Sequence, residues 1–374
     1  MERIIAIADY HQRKNNSQIL FDKQITNLPM CTNPWKRLVI NEYGLTYICS
    51  SPAWLPKSIG SILEYTDMFD LLNSYEARSI RSEVETNRYT YCNHKICGYL
   101  SPNRSEIDIQ VSQSSLDSML LTEEQFTLAS RVTKLPSEIC FDFDYTCNFK
   151  CPSCRTDIVN HNMGPQVSGM QQLVEKIKHL ILDKYNETNT PLTIRWAGGE
   201  PFVSHAYLEL WKYIVSLNNK LIKNVIQTNG SYLMKRSNLL TNFLPFVDEM
   251  RISFDAGSAD TYKAIRVNGE WNSLMDNCRY MKTLRDNQKG RKIRLSSDFL
   301  VQLDNYKEIP QYIEVAKSLG FDKINLTKMW NWGTGGDDEF SRINVSDPAH
   351  PEYQLLIDIV SKYNLDPMVH QSVY

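Results

Sequence analysis

Three cysteines stand within eight residues, Cys147-Asn148-Phe149-Lys150-Cys151-Pro152-Ser153-Cys154, directly after an apolar, strand-like run. With nine cysteines in 374 residues, this spacing arises by chance in roughly 0.5 % of such chains. Three thiolates are one ligand short of the tetrahedral set that a structural zinc takes. They are equally short of the four cysteines of a plain electron-transfer 4Fe-4S cluster. An iron without a protein ligand is free to bind a substrate or a cofactor.

The chain around the triad alternates between two periodicities. Strand patterns lie near 138–144, 192–196, 224–228, 249–254, 294–300 and 323–326, with helical patterns at 170–185, 205–218, 233–244, 259–265, 271–286 and 306–319. Six strands alternating with helices predict a parallel sheet with right-handed crossovers. A second landmark, Trp196-Ala197-Gly198-Gly199-Glu200-Pro201, follows the strand-like Leu192-Thr193-Ile194-Arg195. Adjacent glycines at a strand end allow close backbone approach to a ligand, and a carboxylate there can receive an ammonium group. Gln227-Thr228-Asn229-Gly230 and Arg251-Ile252-Ser253-Phe254-Asp255 end two further strands.

In their order these segments resemble the radical S-adenosylmethionine (radical SAM) superfamily, whose signature is CxxxCxxC followed by a GGEP-like segment. The likeness extends over roughly residues 135 to 330 and implies a six-stranded partial (β/α) barrel of the TIM type with its site at the carboxyl ends of the strands. It implies that Cys147, Cys151 and Cys154 hold a 4Fe-4S cluster that binds S-adenosylmethionine. It also implies that Gly198, Gly199 and Glu200 meet the cofactor's ammonium while Pro201 fixes the turn. Ser253 and Asp255 share a strand face and are candidates for the ribose or carboxylate, with Thr228 and Asn229 beside them. Ordinary strand-end turn chemistry is the alternative for Thr228, Asn229 and Ser253. Arg266 is a candidate partner of the cofactor carboxylate or of an acidic substrate, or a solvated helix-end arginine. One departure is Ser153, which stands where the family often has an aromatic residue against the adenine.

Four of the other cysteines cluster in sequence: Cys31, Cys49, Cys92 and Cys97. The text between the first two reads as strand, turn, strand, 37–40 and 45–48 about Asn41-Glu42-Tyr43-Gly44, and a helix over 63–83 would return the chain. Cys31, twelve residues, Gly44, four residues and Cys49 resemble the SPASM module, an auxiliary-cluster domain of many radical SAM enzymes, here placed before the catalytic domain. Four cysteines suffice for a second 4Fe-4S cluster, and equally for a structural zinc. Cys140 and Cys278 read as buried thiols.

The expected organisation is therefore α/β: a lead segment 1–30, a small α+β cysteine-rich iron-sulfur module 31–100, a linker 101–134, the core 135–330, and a C-terminal loop and helix 331–374. Trp330 and Trp332 form a substrate wall or pack the helix expected near 351–362, and Gly333 to Ser346 reads as a loop. A formal charge of -2 and 42 % apolar residues fit no nucleic-acid or membrane partner. The first residues lack a secretory pattern, so a cytoplasmic location is expected.

The family resemblance implies an oxidoreductase-type enzyme that reductively cleaves S-adenosylmethionine to a 5'-deoxyadenosyl radical and abstracts a hydrogen atom from its substrate. An external donor such as flavodoxin or ferredoxin would supply the electron, and the auxiliary cluster would take one from the substrate. No protein acid or base is named by any motif. Since residues 1 to 30 are too short for a winged-helix peptide-recognition domain, a small or carbohydrate-like substrate is favoured. The alternatives are maturation of a ribosomal peptide by thioether formation, carbon-carbon bond formation or epimerisation, and a non-catalytic iron-sulfur protein for electron transfer or sensing.

Overall fold

The computed structural model describes residues 30–94, 97, 99–100, 131–331 and 334–373. Most of the expected lead segment and linker, together with Trp332 and Gly333, lie outside them. The fold is mixed α/β, with mostly parallel strands. The chain divides into two compact units, residues 1–143 with 171–194, and residues 144–170 with 195–374.

In the first unit β1 (Arg37–Asn41) pairs antiparallel with β2 (Thr46–Tyr47) and parallel with β3 (Glu138–Asp142). The turn between β1 and β2 closes on Asn41, whose Oδ1 accepts from Tyr43 N at 3.1 Å and Leu45 N at 3.0 Å. The single helix expected over 63–83 is three short pieces ending in α1 (Tyr75–Glu85). The breaks follow from side chains that cap fresh starts. Asp67 Oδ1 accepts from Phe69 N at 2.6 Å and Ser74 Oγ from Ala77 N at 3.2 Å. A later helical run opens as α2 (Gln166–Lys176) and passes through a π-helical turn, Ile177–Leu182. Strand β4 (Leu192–Trp196) straddles the division.

In the second unit strands β5 (Ile222–Thr228), β6 (Val247–Ser253), β7 (Arg294–Val301), β8 (Lys323–Lys328) and β9 (Val369–Ser372) pair in parallel, each with the next. The alternation matches the expected core, and its helices include α3 (His205–Leu217), α4 (Ala259–Ile265), α5 (Trp271–Asp286) and α6 (Ile309–Ser318). Two elements were not expected. Strand β9 extends the sheet beyond β8, and α7 (Gly336–Ile343) occupies the segment read as a loop. Acids Asp337, Asp338 and Glu339 in its first turn and Arg342 in its last suit the helix dipole. The helix expected near 351–362 is α8 (Tyr353–Val360).

The two faces of β6 to β8 differ in kind. Met250, Ile252, Leu295, Phe299, Ile324 and Leu326 are fully buried, and Tyr312 of α6 packs its ring 4.5 Å from Phe299. The opposite face presents Glu249, Arg251, Ser253, Ser296, Asp298 and Asn325. There Arg251 donates to both Asp298 oxygens, at 3.1 and 2.8 Å, and Asn325 donates to Asp298 at 2.8 Å. Parallel sheets are ordinarily apolar on both faces, whereas here the second face is polar and several of its groups bond one another.

Trp211 anchors α3 in an aromatic nest, stacked on Phe243 at 4.9 Å and edge-on to Trp196 and Phe202. The variant Trp211→Ala should lose about 3–5 kcal/mol of stability, measured by urea denaturation of the metal-free protein.

Candidate active site

The loop that follows β3 is fixed before its first cysteine. The Asp144 carboxylate is buried and accepts from Thr146 N at 2.9 Å, from Thr146 Oγ1 at 2.7 Å and from the Ser204 hydroxyl, with His161 Nδ1 at 3.3 Å. Burial alone would raise this carboxyl, but the nearby His161 and the bonds from Ser204 and Thr146 outweigh it and hold its pKa below the ordinary carboxylate value. Ser204 also caps α3, accepting from Tyr207 N at 3.0 Å. No motif pointed to this network. Its only local signals are an acid three residues before Cys147 and a serine directly before a helix.

The glycines after β4 explain how the loop is held. Gly198 and Gly199 both have positive φ, +72° and +30°, and a Cβ on Gly199 would lie 2.1 Å from the Thr146 carbonyl oxygen. The next amide, Glu200 N, donates to that same oxygen at 2.7 Å. The close backbone approach expected of these glycines is thus made, at Gly199, to the cysteine loop itself. The Glu200 side chain is fully buried, accepting from Thr228 Oγ1 at 2.7 Å, Asn229 N at 2.6 Å and Phe202 N at 3.1 Å. Burial pushes its carboxyl up to about 7 against the pull of these donors. Pro201 is buried in the same turn.

Each thiol of the triad has a donor. Cys147 Sγ accepts from Phe149 N at 3.4 Å and lies 4.0 Å from Asn229 Nδ2. Cys151 Sγ is 3.7 Å from Arg266 Nη1, and Cys154 Sγ is 3.6 Å from Arg155 Nη2. Burial raises the Cys147 thiol to about 11 and also raises Cys151, where Arg266 opposes it. Arg155 follows the last cysteine and was not singled out from the sequence; adjacency was its only signal.

Arg266 is neither solvated nor open. Its Nη2 pairs with Asp255 Oδ2 at 2.6 Å, and Asp255 Oδ1 accepts from Leu300 N at 2.7 Å. Burial works against the Arg266 charge, and Asp255 and Cys151 more than restore it. Asp255 itself sits at φ +54°. The Ser253 hydroxyl is 93 % buried by residue and has no hydrogen-bond partner among the described residues. The structure therefore links Cys147, Asn229, Glu200 and Thr228 in one bonded set and Cys154, Cys151, Arg266 and Asp255 in a second, and leaves the Ser253 hydroxyl unbonded.

In the other unit Cys31, Cys49, Cys92 and Cys97 line one small cavity with Trp54 and Tyr89. Cys31 N donates to Tyr89 Oη at 3.2 Å and Cys92 N to the Tyr89 carbonyl at 2.9 Å. Burial raises Cys31, Cys49 and Cys92, Cys49 to about 11. Among the described residues no three cysteine, histidine or carboxylate groups are spaced to hold a single metal ion. Cys278 is buried in α5 and raised to about 12 by burial. Trp330 is 38 % exposed, with Lys328 Nζ 5.6 Å from its ring.

Two substitutions test this geometry. Gly199→Ala should cost about 3 kcal/mol or more from the clash, whereas Gly164→Ala, also at positive φ but 3.6 Å from its nearest neighbour, should cost only about 1–2 kcal/mol; urea denaturation compares them. Because the Glu200 carboxyl is raised in the folded state, the stability it contributes is full below pH 4.5 and is lost as pH rises through about 7. The melting-temperature advantage of the parent over Glu200→Gln should therefore shrink across that window, read by thermal denaturation of the metal-free protein.

Residues 143–287 match the family model of the Radical SAM superfamily. A probable GTP 3',8-cyclase of Saccharolobus solfataricus is 25 % identical over 191 residues, 51 % of this chain and 56 % of that protein. The chain thus spans little more than half the length of such curated relatives. Among solved structures, Streptococcus suis SuiB aligns over 90 % of this chain and 70 % of its own at a TM-score of 0.44 and 12 % identity. SuiB bound to S-adenosylmethionine covers 64 % and 48 %, at 0.42 and 12 %. It is in residues 143–287 that the chain is similar to the Radical SAM superfamily.

Proposed function

We propose that the chain is a radical SAM enzyme acting on a small, hydroxyl- or amide-rich substrate. The observation that carries this reading is the three-cysteine loop itself, three thiols on one turn with hydrogen-bond donors at every sulfur. Such donors suit a 4Fe-4S cluster, whose ligand sulfurs accept hydrogen bonds. With S-adenosylmethionine bound, a cluster held by Cys147, Cys151 and Cys154 would supply reductive cleavage of the cofactor and, through it, hydrogen-atom abstraction from the substrate.

The chain's own part is placement. Gly198, Gly199 and the turn at Pro201 present backbone for the cofactor's ammonium, while the buried Glu200 carboxylate holds Thr228 and Asn229 in position. Ser253 offers the one hydroxyl at this strand end that is buried and unbonded, for the ribose or the carboxylate. The Asp255–Arg266 pair fixes the far side of Cys151. The finer fold reading, a partial (β/α)6 barrel over β3 to β8, belongs to the same proposal.

The substrate class rests on the polar face of β6 to β8. Its Arg251 is neutralised by Asp298 and its Glu249 lies 3.6 Å from Arg294, so the face is charge-balanced and rich in hydrogen-bonding groups. A neutral polar ligand suits it better than a strongly anionic one. Peptide maturation is the second reading, and a non-catalytic iron-sulfur protein the third; the buried Glu200 turn is superfluous to an electron carrier.

The four thiols of the SPASM-like first unit are proposed to hold an auxiliary 4Fe-4S cluster that takes the substrate's electron. Their convergence on one small cavity supports a bound metal group, and a structural zinc is the alternative. An external donor such as flavodoxin or ferredoxin would reduce the first cluster. No helix among the described residues is long and apolar enough to cross a membrane, and a cytoplasmic location is part of the proposal.

The test is anaerobic reconstitution with iron and sulfide, then S-adenosylmethionine and dithionite, with 5'-deoxyadenosine followed by liquid chromatography. The parent should release it and bind about eight irons, two clusters of four. Cys147→Ala with Cys151→Ala should abolish release, and Cys49→Ala with Cys92→Ala should leave about four irons. A well-loaded parent that never cleaves S-adenosylmethionine would overturn the enzyme reading.

A further inference from the structure

Two arginines touch the thiols of the proposed cluster, and they are not equivalent. Arg266 reaches Cys151 Sγ but is also paired with the Asp255 carboxylate at 2.6 Å, so its charge is partly offset. Arg155 reaches Cys154 Sγ at 3.6 Å with Nη2, and its Nη1 donates to the Tyr145 carbonyl at 2.8 Å. No carboxylate among the described residues pairs with it. The thiols of Cys154, Cys147 and Cys151 all raise its pKa, against the opposing effect of its own burial.

We propose that Arg155 is a positioning residue that raises the reduction potential of the cluster held by Cys147, Cys151 and Cys154, as the one cation among the described residues that meets a ligand sulfur without a carboxylate partner. This rests on the radical SAM reading of the site. Reduction adds one electron, delivered by an external one-electron donor, with no bond broken and no proton moved. The reduced form carries one more negative charge in a partly buried loop, where a nearby cation and an N–H donor to sulfur both favour it. A guanidinium stays protonated at any working pH, so the effect is constant. The Arg266–Asp255 pair carries no net charge, and its removal has the smaller effect.

The mechanical alternative is that the Arg155 fork only staples Tyr145 to Cys154, the beginning of the loop to its end. The two roles separate in substitutions. Arg155→Gln removes the charge, whereas Arg155→Lys keeps the charge and loses the fork. The double variant Asp255→Asn with Arg266→Gln removes the second arginine without leaving a buried carboxylate unpaired.

The experiment is an EPR-monitored redox titration of the full chain after reconstitution, with iron and visible absorption measured on each sample. Arg155→Gln should show about a tenfold lower ratio of reduced to oxidised cluster at a fixed solution potential, which is about 59 mV for one electron. Arg155→Lys should stay within about threefold of the parent, and the Asp255→Asn, Arg266→Gln protein should shift less than Arg155→Gln. Fully loaded Arg155→Gln that titrates with the parent overturns the proposal. Should Arg155→Gln fail to load, Arg155→Lys decides. Loading at close to the parental potential supports the charge role, and equal failure to load leaves a staple and overturns it. A parent that assembles no 4Fe-4S cluster instead overturns the reading of the site on which the proposal rests.

Discussion

The site depends on a contact with no side chain in it. Gly199 lies so close to the Thr146 carbonyl that not even a methyl fits, and the next amide bonds to that carbonyl. The turn after β4 is thereby pressed onto the cysteine loop after β3. Everything the site needs follows from that closeness, because Glu200 is carried into the interior with its carboxylate facing the ends of β5. Any residue larger than glycine would separate the two loops and leave the Glu200 carboxylate and the Asn229 amide without each other.

Around this contact the second unit buries an unusual share of charge, and each buried group is matched. Asp144 is surrounded by donors, Glu200 takes three, and Asp255 is shared between Arg266 and the Leu300 amide. Burying a carboxylate without such partners is prohibitive, whereas satisfied networks fix one arrangement of the loops that supply them. The three acids stand a few residues beyond the ends of β3, β4 and β6. Specific geometry at the strand ends is thus gained at the expense of apolar burial there.

Much of the architecture was legible from periodicity. The strands from β3 to β8 and helices such as α4 and α5 fall where alternating and 3.6-residue patterns placed them, because each buries one apolar face against the next layer. The parallel pairing of β1 with β3 was not legible, since its partners lie about a hundred residues apart and parallel strands leave no turn between them. Strand β9 is four residues long and reads Val369-His370-Gln371-Ser372, too short and too polar to stand out. At the site, the cysteine spacing and the glycine pair named the right loops. The directions of the Glu200 and Arg266 side chains were set by tertiary partners, and no local pattern encodes those.

Asp298 accepts from Arg251 on one neighbouring strand and from Asn325 on the other, tying three parallel strands crosswise. Alternation of apolar and polar residues forbids a one-residue slip between strands, because every side chain would change faces. It is indifferent to a slip of two. The crosswise tie is not: sliding either neighbour by two residues carries its partner about 6.6 Å along the strand, beyond the carboxylate's reach. Asp298 therefore supplies resistance to shear that the hydrophobic pattern alone lacks, and it selects one register among those the core would accept.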